Sequence, residues 1–286
     1  MLDQFRAELT QQGFSENTVQ TYTRNARLFT EWVQATTGEP FDNQISVFDG
    51  REYKSYLLNV KKLRPNSVNS KLQAVQRFAD FLTGQGTQQP VKIRRQKVVA
   101  NTEVKVLDKS TLYKCRRWAA AHGSVRDVAI FELLLNTGIR ESELAALTLT
   151  DIQITERKGK LLVRNGKGGK SREIPLNSDA RAALQRYIAV RPINSGDQVF
   201  YGQRGPLQRN AVYRVVNQIG RRGAGMPDLT PHMLRHTCFT RMAKAGVDLS
   251  TIASIAGHSD PKVTARFYVS TSAADREAAV DTLVGD

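Results

Sequence analysis

The sequence predicts a mainly α-helical protein with a small antiparallel β-sheet, divided into two domains. Three observations support this prediction. Apolar residues recur at helical spacing in both halves of the chain, two short strand-like runs flank a glycine-rich turn, and a basic segment without apolar periodicity lies between the halves. We therefore expect a helical domain at residues 1–88, a basic linker at 89–103 and a second domain at 104–286.

The first domain is expected to be built around two amphipathic helices. Beyond a candidate N-cap serine, apolar residues recur in steps of three and four from Val19 to Val33, which marks one buried stripe. The same rhythm follows Pro65 and continues to Leu82, until two glycines end it. A shorter helix is expected between them, at 51–60.

Basic residues gather in the second half of this domain and in the linker. Segment 53–79 has six basic residues and no acidic one, so a positive helix face can lie on a phosphate backbone, although a solvated helix face explains these residues equally well. The linker contains Pro90 and no apolar period, and we interpret it as an exposed arm that crosses a duplex. The candidate DNA-binding residues are Lys54, Lys61, Lys62, Arg64, Lys71 and Arg77 in the domain and Lys92, Arg94, Arg95 and Lys97 in the linker.

The second domain alternates helices with one β-hairpin. The hairpin is expected to pair residues 160–164 with 171–176 around the glycine-rich turn. A boundary at Thr137-Gly138 separates two helices from a third that starts at Glu141. The predicted helices of this domain span 110–122, 125–136, 141–147, 178–190, 209–220, 231–245, 248–256 and 272–283.

The composition is that of a globular protein with a strong positive charge. The 286 residues include 42 Lys and Arg against 27 Asp and Glu, a formal net charge of +15. Residues 1–88 hold 10 basic and 9 acidic side chains, so most of the excess lies beyond them. This charge suits a polyanionic partner, nucleic acid first, because neutralising phosphates releases counterions; solubility alone is the other explanation.

Several classes of protein are disfavoured. Two cysteines cannot form a disulfide scaffold. No apolar run reaches the ~20 residues of a membrane span, and the first residues lack the order of a secretory signal. We therefore expect a cytoplasmic, nucleoid-associated bacterial protein without a membrane partner.

Three familiar motifs fail on inspection. RNGKGGKS resembles a phosphate-binding loop, but Arg164 stands where that motif needs glycine, and Pro175 follows in a strand-like run. His232 and His236 have the spacing of metal ligands on a helix, but Met233 stands where a metalloprotease places its glutamate, and no third ligand is evident. No G-x-S-x-G nucleophile elbow is present. We expect no metal site.

A set of cationic side chains and one phenol remains along the second domain. TGIRESEL places an arginine at the opening of a helix, and the hairpin presents a lysine at its tip. PHMLRH sets a histidine and an arginine three residues apart on one helix face, and IAGHSD and ARFYVS add a histidine and a tyrosine. The candidate catalytic residues are Arg140, Lys167, His232, Arg235, His258 and Tyr268.

In this order, these motifs resemble the tyrosine recombinase (phage integrase) family, particularly its Xer-like and transposon-resolution members. The resemblance covers residues 104–270 closely and the first domain more loosely. It implies a two-domain C-clamp, in which a helical core-binding domain and a catalytic domain close around double-stranded DNA. It also implies site-specific recombination through a 3′-phosphotyrosyl intermediate and a Holliday junction, without metal, ATP or another cofactor.

The resemblance assigns roles to the candidate residues. Arg140 and Arg235 correspond to the two arginines that grip the scissile phosphate, and Tyr268 corresponds to the nucleophile. Lys167 corresponds to the hairpin lysine and is our choice of general acid, with Lys170 as the alternative.

The histidines and one acid complete the implied site. His232 and His258 correspond to the motif histidines, and Glu143 to an acid that supports the site, although a helix-start charge explains Glu143 equally well. Tyr268 follows His258 by 10 residues, one more than the family's common spacing. Phe267 holds the common position but has no hydroxyl, so Tyr268 stays the expected nucleophile.

The resemblance implies an assembly as well. Free monomers are expected to form a homotetramer on two synapsed DNA sites, with accessory DNA-binding proteins as further possible partners. The helix expected after Tyr268 would dock on a neighbouring subunit or pack on its own domain, and both remain open. Two other functions stay open: a type IB topoisomerase-like nicking and closing enzyme, and a non-catalytic DNA-binding regulator.

Overall fold

The computed structural model describes residues 1–98, 105–164, 171–192 and 196–257. The chain divides into two compact units, Met1–Asn101 and Thr102–Asp286, each with a hydrophobic core of its own. The mainly helical architecture with small antiparallel sheets confirms the predicted fold class, while the limits 1–88, 89–103 and 104–286 stay a prediction. In the described part of the chain, no helix is long and apolar enough to cross a membrane.

Within residues 1–98, the regular secondary structure of the first unit is helical, and loops connect the helices. Its helices are α1 (Leu2–Gln11), α2 (Glu16–Thr37), α3 (Val47–Ser55) and α4 (Pro65–Gly84), with a π-helical turn (Tyr56–Val60) after α3.

The predicted apolar stripes form the core of this unit. The stripes of α2 and α4 are buried against each other, as the spacing predicts. Helix α3 begins earlier than expected, because Ser46 and Asp49 form a capping box. Helix α1 was not predicted from the sequence, because it buries only two side chains, those of Phe5 and Leu9.

Residues 91–97, which we name the basic strap, lie along α4. The Gln76 amide accepts a hydrogen bond from the Ile93 N–H (2.7 Å) and donates one to the Val91 carbonyl (2.8 Å). Two turns earlier in α4, the Asn69 amide accepts a hydrogen bond from the Gln96 N–H (2.7 Å) and donates one to the Gln96 carbonyl (2.9 Å). Two side-chain amides therefore pair with the backbone of the strap as a neighbouring strand would.

This packing differs from the exposed linker that the sequence predicts from residue 89. Ile93 is buried, and it lies so close to α3 that a Cβ at Gly50 would be 3.0 Å from the Ile93 Cγ2. Sequence patterns missed the contact because a single buried side chain and two distant amides create no periodicity. The four basic side chains of the strap remain exposed, and these are Lys92, Arg94, Arg95 and Lys97.

The second unit combines helices, which pack mainly on one another, with a three-stranded antiparallel sheet in the order β1-β2-β3. Its first helices are α5 (Lys109–His122), α6 (Val125–Thr137) and α7 (Glu141–Ala146). The sheet follows with β1 (Ile152–Ile154), β2 (Gly159–Val163) and β3 (Arg172–Pro175), in which Val163 pairs with Arg172. Then come α8 (Ser178–Val190), a small ribbon of β4 (Tyr201–Gly202) and β5 (Gly205–Pro206), α9 (Arg209–Ala224), α10 (Pro231–Lys244) and α11 (Leu249–Ala256).

The predicted elements and the observed ones agree closely in this unit. The hairpin forms as expected between β2 and β3, and eight of the 13 residues of α6 are buried. The short strands β1, β4 and β5 were not predicted, because runs of two or three residues are too brief to show alternation. The helix expected at 272–283 lies outside the described residues.

Candidate active site

A sharp corner between α6 and α7 positions Arg140. Helix α6 ends at Gly138, whose φ of 62° is left-handed, and a Cβ there would lie 2.5 Å from the Phe239 ring. Arg140 follows as the N-cap residue of α7. Its N–H donates to Glu143 Oε2 (2.9 Å) and its Nη1 donates to Oε1 (2.7 Å). Backbone and guanidinium of Arg140 are thus fixed by one carboxylate.

Arg235 lies on α10 and is almost fully buried, with 4% of its surface exposed. It donates hydrogen bonds to the carbonyls of Gly138 and Ala256, and its guanidinium carbon lies 4.7 Å from the centre of the Phe239 ring. Burial and the charge of Arg140 lower its pKa to about 9. Arg235 therefore remains a cation at neutral pH, held in a fixed direction.

Arg172, on β3, is the functional candidate that the sequence analysis missed. Its side chain is 10% exposed, and its Nη1 and Nη2 donate to the two oxygens of Glu143 (3.0 and 2.7 Å). Its Nε donates to the Ile255 carbonyl (2.8 Å). A signal was present: Arg172 stands two residues before Ile174, so the alternation of a strand puts both on the inward face.

Glu143 is hydrogen-bonded to Arg140 and Arg172, and its surroundings strongly shift the pKa of its carboxyl. Burial would raise the pKa of its carboxyl, whereas the hydrogen bonds from Arg172 and Arg140 lower it to about 2. Glu143 is therefore an anion throughout the physiological range. Glu143 is also a charge at a helix start, because it is the N3 residue of α7 and caps Arg140 there, so that explanation stays open; its side chain is nevertheless only 8% exposed.

Three arginines converge on the carboxyl end of α11. Arg172 donates to the carbonyl of residue 255, Arg235 to that of 256 and Arg140 to that of 257 (3.3 Å). The acceptors are consecutive, although the donors come from three different elements. Their cationic groups thereby complement the negative end of the helix dipole, immediately before residue 258 in the chain.

His232 lies on the same helix as Arg235. Its Nε2 lies 2.8 Å from the Nε2 of His236, one turn along α10, and the two rings meet edge to face. Partial burial and the charge of Arg235 lower the pKa of His232, so its neutral form is favoured. The two histidines are hydrogen-bonded to each other.

Four of the residues predicted for the catalytic site lie in the described part of the chain, and the structure brings them together. Arg140, Glu143 and Arg235 meet at the end of α11, and the charges of both arginines act on His232. Lys167, Lys170, His258 and Tyr268 lie outside the described residues.

The predicted DNA-binding residues of the first unit are mostly exposed. Lys71 is half-buried, donates to the Asn25 side chain (3.3 Å), and has its pKa lowered by burial and by Arg24. Arg77 lies over the ring of Phe14. Arg24, an exposed base on α2, was not among the predicted residues because it lies outside the acid-free segment. DNA contact by this set stays a prediction.

Comparison with known proteins identifies the family. Residues 106–274 match the model of the phage integrase family, and residues 1–88 match the model of the phage integrase N-terminal SAM-like domain. The chain belongs to the phage integrase family. As a member it is a tyrosine recombinase, an enzyme that cleaves and rejoins DNA strands at specific sites.

Individual phage integrases resemble the chain over most of its length. It is 32% identical over 276 residues to the TnP I resolvase of Bacillus thuringiensis, which covers 91% of this chain and 92% of that protein. It is 32% identical over 265 residues to tyrosine recombinase XerC of Staphylococcus saprophyticus, with 89% and 86% covered. The Tn1549 transposon integrase, solved in complex with transposon right end DNA, has the same fold with a TM-score of 0.76 at 21% identity, covering 99% of both chains.

Proposed function

We propose that this tyrosine recombinase exchanges DNA strands between two copies of a specific site, with Arg140 and Arg235 as the clamp on the scissile phosphate. One observation carries the proposal: the two guanidinium groups reach adjacent carbonyls, those of residues 257 and 256. The hydrogen bonds therefore hold both arginines at the same short segment, which directly precedes His258 in the sequence.

The chemistry of phosphodiester cleavage explains the need for such a clamp. A phosphodiester anion repels nucleophiles, and negative charge grows on its non-bridging oxygens in the transition state. Two fixed guanidinium groups stabilise that charge, because they are already oriented and cost no reorganisation during the reaction. The rigid attachment of both arginines to backbone carbonyls supports this role.

The remaining steps are assigned to residues of the family motifs. The Tyr268 oxygen attacks phosphorus, the bond to the 5′ oxygen breaks, and Lys167 gives that oxygen its proton. His232 and His258 ease the loss of the phenol proton, and the lowered pKa of His232 supports its service as an acceptor. The resulting 3′-phosphotyrosyl bond retains the energy of the original linkage, so a second 5′ hydroxyl can reverse the step without ATP.

The first unit would supply the sequence-independent grip on the duplex. Its exposed basic residues and those of the basic strap fit a phosphate backbone, which rewards positive charge by counterion release. The solved relatives include an integrase bound to transposon DNA, which supports the same partner here. Four protomers on two sites would carry out the exchange, in the cytoplasm where bacterial DNA lies.

A trapped adduct on a suicide substrate tests the proposal. Tyr268→Phe should bind its DNA site as the wild-type protein does but form no covalent protein–DNA adduct, because the attacking hydroxyl is gone. Tyr213→Phe, at an exposed tyrosine of α9, is the matched control and should form the adduct at the wild-type rate. An adduct formed by Tyr268→Phe removes Tyr268 from the mechanism. Exchange between two sites, measured on the same DNA, separates a recombinase from a topoisomerase-like enzyme.

A further inference from the structure

We propose that Arg172 is a positioning residue of the recombination site, which joins Glu143 to the carboxyl end of α11 and so fixes both phosphate-clamp arginines relative to the peptide bond that leads into His258. The inference rests on the function proposed for Arg140 and Arg235. It adds a residue that acts on them without touching the substrate.

The contacts of Arg172 are those of a brace. Its guanidinium donates to three acceptors on two elements: both oxygens of Glu143 on α7, and the Ile255 carbonyl on α11. With 10% of its side chain exposed, it is the least accessible partner of Glu143, whereas 27% of the Arg140 side chain is exposed. Arg140 can therefore face a phosphate, and Arg172 faces the protein.

The backbone of α11 is shaped to receive this brace. Gly257 ends the helix with a left-handed φ of 63°, which a residue with a Cβ adopts only with strain. A Cβ at Gly257 would also lie 3.0 Å from Cδ and Nη1 of Arg172. The glycine thus permits both the helix end and the close approach of the arginine.

Electrostatics explains why a second arginine is needed at Glu143. Among the described residues, the charges that act on this carboxylate are Arg140 at the start of its own helix, Arg172 on β3 and Arg235 on α10. Arg172 supplies two of the hydrogen bonds that keep the buried carboxylate ionised. Without them, burial raises the pKa of Glu143, and a protonated Glu143 holds Arg140 less firmly.

The experiment measures DNA binding and covalent adduct formation separately, between pH 5 and 8, for Arg172→Met. Methionine keeps much of the apolar volume but provides no donor. We expect binding within about 2-fold of wild type and adduct formation at least 10-fold slower. We also expect a new fall in rate toward pH 5, because Glu143 would take up a proton there, whereas in the wild-type protein it stays ionised.

Two further variants separate this role from general destabilisation. Arg172→Met combined with Glu143→Gln should lose the new acidic limb, because no carboxyl remains to titrate; any limb that persists belongs to another group, such as His232. Arg116→Met removes a bidentate pair with Glu132 elsewhere in the unit (2.8 and 2.6 Å) and should lower the unfolding temperature without changing the shape of the pH profile.

Each result has one meaning. Wild-type rates in Arg172→Met, or a loss equal at every pH and matched by Arg116→Met, overturn the positioning role. Arg172→Lys should recover part of the rate, since an ammonium can serve one acceptor but not all three; no recovery counts against the brace. If the wild-type protein itself forms no adduct, the proposed function fails instead, which is a distinguishable outcome.

Discussion

The positive charges of the two units are held in opposite ways. In the first unit most Lys and Arg side chains lie on the surface, and in the basic strap the hydrogen bonds from α4 hold the backbone and not the charged side chains. At the end of α11 the arginines are buried or half-buried, and each is tied to a backbone carbonyl. Mobile surface charge suits long-range attraction to any phosphate backbone, whereas fixed charge suits one phosphate in one geometry.

The largest expected effect on the rate of adduct formation comes from replacing an arginine whose guanidinium is fixed by hydrogen bonds. Arg235→Lys should retain DNA binding but lower the rate of adduct formation by about 10²-fold or more, because an ammonium cannot reach two carbonyls and a phosphate as the planar guanidinium does. Single-turnover cleavage of a suicide substrate measures this loss. The control is Arg186→Lys, an exposed arginine of α8 that also donates to a carbonyl. A wild-type rate in Arg235→Lys would contradict the fixed-charge interpretation.

An intermediate effect is expected from freeing the strap. Replacing both Asn69 and Gln76 by alanine removes the four hydrogen bonds from these side chains to the strap. The strap must then be ordered again when DNA binds, and affinity should fall by about 3- to 10-fold. The backbone amide of Ile93 should exchange its hydrogen faster in the free protein. Gln73→Ala, on the exposed face of α4, should change neither quantity. Unchanged exchange at Ile93 would show that the amides do not hold the strap.

The smallest effect should come from a single surface charge. Lys92→Gln should weaken binding only slightly, but it should reduce the slope of log affinity against log salt concentration by about 0.9 if this residue neutralises one phosphate. Affinities measured over a range of salt concentrations give the slope. Lys92→Arg, which keeps the charge, should preserve it. A slope that is the same in the glutamine variant would place Lys92 away from the DNA.

The same contrast explains what could be predicted from the sequence. Helices and the hairpin were predictable because apolar periodicity is local, and Arg140 and Arg235 because their motifs are short. That the two arginines come together was implied only by the family resemblance. Their attachment to the end of α11 could not be predicted, since it depends on contacts between residues more than 100 positions apart in the case of Arg140 and Gly257.

Two of the features that the sequence did not predict, Arg172 and the packing of the strap, have a common cause. Arg172 and the packed strap both depend on single polar side chains that pair with the backbone of a distant segment. Such pairs leave no repeating pattern. Only the position of Arg172 on the inward face of β3 gave a clue, and strand alternation could have supplied it.

The corner at Gly138 determines the positions of both clamp arginines. Its carbonyl receives Arg235, its Cα faces the ring on which Arg235 rests, and the chain reaches Arg140 two residues later. Any side chain introduced there would push the Phe239 ring and displace both guanidinium groups at once. Redesign of this recombinase should therefore leave that corner intact, because a change there alters both arginines together.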